Sequence, residues 1–278
     1  MNLDIRPQTE HGFFAEIHDA DLTVQDDGAQ IAAIKSAFLK HGVLAIRGQT
    51  LTPDKQIAVS RAFGPLSIHV LADQLLPGHP EILLVTNKQE KGRYIGIPDF
   101  GRGWHTDQSY SQTPAMASLL YALETPVDGS GHTQFADLTA AYDALSNDMQ
   151  HRIKDLQAEH IYEHDHEKFS PNDNQRKSLT GAAHPLAPTH PETGRRTLYL
   201  GPLMTKRVIG LEDQEGHNLL DRLHAHALDP AFIHTHEWRP GDLLIWDNRC
   251  TLHRALPYDD KTHIRHMHRT TVQGVRPI

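Results

Sequence analysis

A single cysteine, Cys250, in 278 residues excludes an intramolecular disulfide and points to a reducing, cytoplasmic setting. Long apolar runs are missing as well: none approaches the ~20 residues that a helix needs to cross a bilayer. The opening "MNLDIRPQTEHGFFAEI" lacks the basic stretch and apolar segment of a secretory signal, so none is expected. Positive charge is scarce. Against 35 Asp and Glu stand only 27 Lys and Arg, a net charge of −8, which leaves no broad field to attract nucleic acid or an anionic membrane. No internal repeat is visible. What the chain has in excess is histidine, 22 residues, the commonest metal-binding side chain.

Periodicity and punctuation place the elements. Asp26-Asp27 ahead of "GAQIAAIKSAFLKHG" predicts a capped helix with Ile31, Ile34 and Phe38 on one face and Gly42 as its stop. "GVLAIRG" predicts a short strand. Thr52-Pro53-Asp54 marks a second helix start, Thr as cap and Pro at the first helical position, ending near Phe63-Gly64. "EILLVTN" is strand-like, whereas "AMASLLYALE" fits either a strand or a buried helix. Ser146 to Gln157 predicts a helix with Met149, Ile153 and Leu156 on one side. From about 163 to 196 the chain is polar and broken by Pro, Asn and Gly, and we expect a lid-like excursion within a single domain spanning 1–278. Beyond it, strand is expected at "RTLYLG", helix around Asn218 to Ala227, and strand at "DLLIWD" after the turn "RPG". The fold class is therefore mainly β with helices, a sandwich or barrel, in preference to an alternating parallel α/β fold.

One stretch, "GRGWHTDQSY", carries His105 and Asp107 two residues apart. In an extended segment both project from one side, as a local ion pair or as two ligands of one metal. His253, directly after the strand-like "DLLIWD", is the best third ligand. Two histidines and a carboxylate make the facial triad of non-haem Fe(II) oxygenases, which leaves metal positions open for a cosubstrate and dioxygen. Other histidine pairs fit this role less well. His79-Pro-Glu81 and His190-Pro-Glu192 read as turns. His164/His166, His224/His226 and His234/His236 read as exposed or edge-strand residues. Farther on, Arg265, Met267 and Arg269 share a face if "HIRHMHRTTV" is a strand. Guanidinium groups directed inward each need an anion, and their fork matches a carboxylate.

Taken together, "WHTDQSY", "GSGHTQFADL", "HPETGRRTLYLG" and "GDLLIWDNRCTLHRALPYD…IRHMHRTT" resemble the α-ketoglutarate-dependent taurine dioxygenase and dichlorophenoxyacetate dioxygenase family, in order, from about Asp21 to Thr271. The resemblance implies a double-stranded β-helix (jelly-roll) core decorated by helices. It also implies Fe(II), α-ketoglutarate (2-oxoglutarate) as cosubstrate, and O2. By the same likeness His105, Asp107 and His253 are the iron ligands. Thr133 and Arg265 hold the cosubstrate, and Arg269 lies near both cosubstrate and substrate. His69 falls where taurine enzymes bind the substrate anion. Departures cluster at the substrate positions: Gly101 replaces an asparagine, Ala72 or a neighbour a tyrosine, and Met204 an aromatic. They point away from taurine, toward a reshaped pocket.

The implied reaction couples hydroxylation of a small acid to formation of succinate and CO2. The acid would be aryloxyalkanoate-, sulfonate- or sulfate-like. Alternatives are a relative hydroxylating, desaturating or cyclising an amino-acid-like or natural-product acid, and a non-catalytic jelly-roll that binds a small acid or metal. Trp104 and Trp246 are expected to pack beside the site, Asp247 and Asn248 to shape hydrogen bonding ahead of His253, and Cys250 to be a buried small hydrophobe. The expected form is a homo-oligomer, dimer or tetramer, with a small anionic organic substrate as partner.

Overall fold

In chain order the strands are β1 (Ile5–Pro7), β2 (Ala15–Ile17), β3 (Val43–Ile46), β4 (Leu75–Leu76), β5 (His79–Thr86), β6 (Gln89–Glu90), β7 (Arg93–Tyr94), β8 (Ala115–Glu124), β9 (Thr133–Asp137), β10 (Gln157–His160), β11 (Ala182–Pro185), β12 (Thr205–Val208), β13 (Ile233–His236), β14 (Leu243–Asp247), β15 (Thr251–Ala255) and β16 (His266–Gln273). The helices are α1 (Gly28–His41), α2 (Pro53–Arg61), α3 (Leu138–Asp143), α4 (Asn147–Ile153) and α5 (Asp213–Ala227). These come from a computed structural model that describes residues 3–24, 28–98, 101–162, 179 and 181–278. The protein is mostly β with few helices, and among the described residues no helix is long and apolar enough to cross a membrane.

An eight-stranded sheet runs β1-β2-β3-β14-β8-β16-β5-β4, and a three-stranded sheet runs β13-β9-β15. One face of the large sheet, with Leu44, Leu119, Tyr121 and Ile245, packs on Ile34 and Phe38 of α1 and Val59 of α2. The opposite face, with Leu120, Leu244, Trp246 and Met267, packs on Phe135 of the small sheet. The small sheet's other face, Ala136 and Leu252, is covered by α3 to α5 and by the third sheet, β11-β10-β12. Because both faces of β8 are covered, "AMASLLYALE" reads as one continuous apolar run; it is a strand.

Local chemistry explains several boundaries. Thr52 caps α2 by accepting from Lys55 N, with Pro53 at the first helical position. Gly42, at φ 70°, stops α1 by taking up the left-handed conformation. Other expectations change. α2 ends at Arg61, ahead of Phe63-Gly64. α4 ends at Ile153, and Gln157 opens β10 instead of closing the helix. α5 starts at Asp213, since its polar first turn carries no apolar periodicity. "RTLYLG" is buried and extended but bridges only at Thr189–Arg196. His79-Pro80 begins β5 rather than a turn, with the proline next to the strand's start. The expected α1 cap, Asp26-Asp27, lies outside the described residues. So does the front of the 163–196 excursion, including His164 and His166. In its later part Ala182, His184, Leu186 and Ala187 are buried.

Candidate active site

The space between the two facing sheets holds the chemistry. His253 of β15 pairs with Phe135 of β9, so both face inward. Arg269 shares the inward parity of Met267 on β16. The segment from 101 to 107 docks on β15 through His105 N to His253 O at 3.1 Å and His253 N to His105 O at 2.8 Å. The His-x-Asp pair is therefore a single bridge running into a turn, not a ladder strand, yet it still delivers both side chains to one point. Ligand atoms of His105, Asp107 and His253 all lie within 4.8 Å of one another, and all three residues are buried.

Hydrogen bonds prepare each donor. His105 Nδ1 donates to Gly103 O at 2.8 Å, which leaves the Nε2 lone pair for the centre. Burial holds His253 neutral, its acidity displaced well below the usual range, and neighbouring His105 acts the same way. Burial would push Asp107 up, but Arg269, His253, His105 and the Ser118 hydroxyl outweigh it and keep the carboxyl well below its usual range. Arg269 Nη1 donates to Asp107 Oδ1 at 3.0 Å, and Ser118 Oγ to Oδ2 at 2.6 Å. Two imidazoles and an ionised carboxylate fit a divalent metal with open positions.

Asn248 ties this donor set to the large sheet. Its Oδ1 accepts from Asp107 N at 3.2 Å and Trp246 Nε1 at 3.0 Å, and its Nδ2 donates to Ser118 Oγ at 3.1 Å. Trp246 also packs on His253, ring centroids 4.8 Å apart. Gly101, at φ 77°, lies against His105: a Cβ there would meet Cε1 at 3.1 Å. Ser118 and Trp238 carried no sequence assignment, although a lone serine within an apolar strand is a signal in retrospect.

A second cluster forms around Arg265, just ahead of β16 and only 6% exposed. Its Nε donates to Gly131 O at 3.3 Å, and its guanidinium lies 5.7 Å from the Trp238 ring centroid. Trp238 Nε1 in turn donates to Thr133 Oγ1 at 2.9 Å. Thr133 lies diagonally across the ladder from His253. Among the described residues no carboxylate meets Arg265, and burial, then Arg102, pushes its acidity down to about 10.

His69, Gly101, Met204 and Arg269 line one pocket, together with Leu71, Gln108 and Tyr110. Burial, then Arg269, lowers His69 to about 3, so it is a neutral imidazole. Arg269 reaches this pocket while its Nη1 donates to Asp107 Oδ1.

The other histidine pairs do not join the centre. His190 does approach Asp247 and Cys250, but its Nδ1 accepts from Glu192 N and Thr193 N while Nε2 donates to Asp247 at 3.1 Å. No lone pair is left for a metal, and Arg249 grips the Asp247 carboxylate through both oxygens. His190-Pro191 is a turn, as expected. His224 and His226 sit on α5, while His236, on edge strand β13, is buried against Asp242. Cys250 is only partly buried.

A 2,4-dichlorophenoxyacetate dioxygenase of Cupriavidus pinatubonensis, named as alpha-ketoglutarate-dependent, is 35% identical over 260 residues, 89% of this chain and 90% of that one. Pentalenolactone F synthase of Streptomyces arenae is 34% identical over 260 residues, 88% and 87% of the two chains. The crystal structure of AAD-2 with Mn(II) and N-oxalylglycine superposes with a TM-score of 0.83 at 30% identity, covering 98% of this chain and 99% of that one. Residues 4–271 match the family described as taurine catabolism dioxygenase TauD, TfdA, and the chain belongs to it.

Proposed function

We propose that the protein is an Fe(II)- and 2-oxoglutarate-dependent dioxygenase that oxidises a small organic acid, on a jelly-roll core formed by its two facing sheets. The observation that carries this reading is the convergence of His105, Asp107 and His253 within 4.8 Å beside a buried arginine that lacks a carboxylate partner. When bound, iron and 2-oxoglutarate supply the activation of dioxygen, with succinate and CO2 as coproducts.

The chain's own residues bind and orient. His105, Asp107 and His253 hold the metal, with the Gly103 carbonyl fixing the His105 tautomer. Arg265 and the Thr133 hydroxyl receive the cosubstrate's distal carboxylate, and Trp238 aligns them. Arg269, which holds Asp107 through Nη1 and lines the pocket beside His69, would offer the rest of its guanidinium to the acid group of the substrate. Leu71, Leu203 and Met204 provide an apolar wall that excludes water from the reacting carbon.

Identity to the dichlorophenoxyacetate dioxygenase favours an aryloxyalkanoate-like acid, with sulfonates and sulfate esters as neighbouring classes. A natural-product acid is the second reading, favoured by the similar identity to pentalenolactone F synthase. Succinate release is the test. Purified protein with Fe(II) and 2-oxoglutarate is screened against aryloxyalkanoates, alkyl sulfates, sulfonates and terpenoid acids. One class should stimulate succinate formation strongly, and His105→Ala should abolish it. Succinate formation unaffected by that substitution would overturn the assignment, and a chain that binds no metal would be a binding protein of another kind.

A further inference from the structure

Two neutral polar side chains line the cavity, and among the described residues neither makes a side-chain hydrogen bond. Gln108 follows the metal ligand Asp107 directly and adopts φ 58°, a left-handed conformation that costs a non-glycine residue roughly 1 kcal/mol or more. Tyr110 stands two residues on, its ring edge-to-face with Tyr162 at 5.3 Å. Burial, then Tyr162, raises its pKa well above the usual value, so the phenol keeps its proton as a donor. Both side chains line the same cavity as His69 and Arg269.

The turn that presents them is anchored from its other side. Ser111 N donates to Gln108 O at 2.8 Å, closing the turn. Buried His184 lies within hydrogen-bond reach of the Ser109 and Ser111 carbonyls, its Nε2 at 2.9 and 3.0 Å. The intervening Ser109 is buried away from the cavity. Backbone strain is thus held in place beside the metal ligands, with an amide and a phenol lining a cavity whose apolar wall includes Val70, Leu71, Leu203 and Met204. Neither group is charged, so neither is suited to the acid function itself, which Arg269 serves.

We propose that Gln108 and Tyr110 form a specificity subsite for a neutral oxygen of the substrate, an ether, ester or carbonyl oxygen close to its acid group. This rests on the oxygenase reading and deepens it: the substrate is an oxygenated acid, not a plain hydrocarbon acid. The subsite discriminates because a bound acid shields both donors from water and leaves them unpaired when a methylene occupies the place of the oxygen.

Phenoxyacetate and 3-phenylpropanoate test it, since they differ in an ether oxygen exchanged for a methylene. Protein loaded with Mn(II) and N-oxalylglycine is titrated with each acid by calorimetry. Wild type should bind phenoxyacetate about ten-fold tighter. Tyr110→Phe and Gln108→Met should each weaken phenoxyacetate about five-fold and leave 3-phenylpropanoate unchanged, with Mn(II) affinity retained. Equal affinity for the two acids, no affinity for either, or parallel loss of both in the variants would overturn the subsite. The Mn(II) titration decides separately whether the oxygenase reading stands, so the two failures are distinct.

Discussion

Ser118 Oγ donates to Asp107 Oδ2 at 2.6 Å from the inner face of β8, and the Asn248 amide behind it donates to the same hydroxyl at 3.1 Å. This chain of donors fixes one carboxylate oxygen while Arg269 holds the other. Ser118→Ala removes the donor to Asp107 and strands the Asn248 amide. Metal affinity should fall about 10- to 100-fold. The stability loss should stay near 1–3 kcal/mol, the range for one orphaned buried group. Metal titration by calorimetry and a denaturant melt of the metal-free protein check the two parts.

Gly101 makes a different contribution, through space it does not fill. At φ 77° an alanine is strained, and its Cβ would press on His105 Cε1 at 3.1 Å. Gly194, at φ 70° with nothing within 4 Å of its notional Cβ, supplies the matched control. Both alanine variants should lose about 1–2 kcal/mol of stability from the backbone. Only Gly101→Ala should also weaken metal binding, because only it moves a ligand ring. Equal metal affinities in the two variants would show that the contact with His105 is immaterial.

Much of the site was legible from the sequence because metal chemistry restricts residue types and the His-x-Asp spacing is local. Arg265 and Arg269 were legible for a related reason: alternation along a strand puts both inward, although Arg265 in fact sits just ahead of β16, next to an irregular register at His266. The partners of these residues were not legible. Ser118 meets Asp107, and Trp238 meets Thr133, only because separate strands are brought into register. The fold showed the same division. Capped α2 announced itself, whereas β8 stayed ambiguous because burial on both faces erases its alternation.

The pH response should be set by histidines away from the centre. His160 is fully buried, and neither ring nitrogen has a partner. Burial, then His184 and His224, lowers it from 6.5 to about 3. Below pH 6.5 the unfolded chain therefore binds a proton that the folded chain refuses. Stability is fully present above 6.5 and falls as the pH drops toward 3, by about 1.4 kcal/mol per pH unit for this group. His160→Leu should flatten the acid limb by that slope, with no comparable loss at pH values above 7. Denaturant melts at a series of pH values measure it, and an unchanged slope would count against the buried neutral state.

Arg265 separates folding from ligand binding. Among the described residues its buried guanidinium meets the Gly131 carbonyl and the Trp238 ring, and no carboxylate. In the ligand-free protein that charge is a cost: removing it leaves no orphaned carboxylate behind, unlike the loss of one partner from a buried ion pair. Arg265→Met should therefore be as stable as wild type, or more stable by about 1 kcal/mol, when no anion is bound. With N-oxalylglycine present the order should reverse. Wild type gains thermal stability from binding, whereas the variant, without a fork for the distal carboxylate, gains little. Its affinity for N-oxalylglycine should fall at least about 100-fold, on the scale of a lost charge-assisted pair, while Mn(II) affinity holds because Arg265 touches none of the metal ligands. A variant that melts early without ligand, or that keeps its N-oxalylglycine affinity, would mean that Arg265 is a structural residue of the β16 edge rather than the anion's seat.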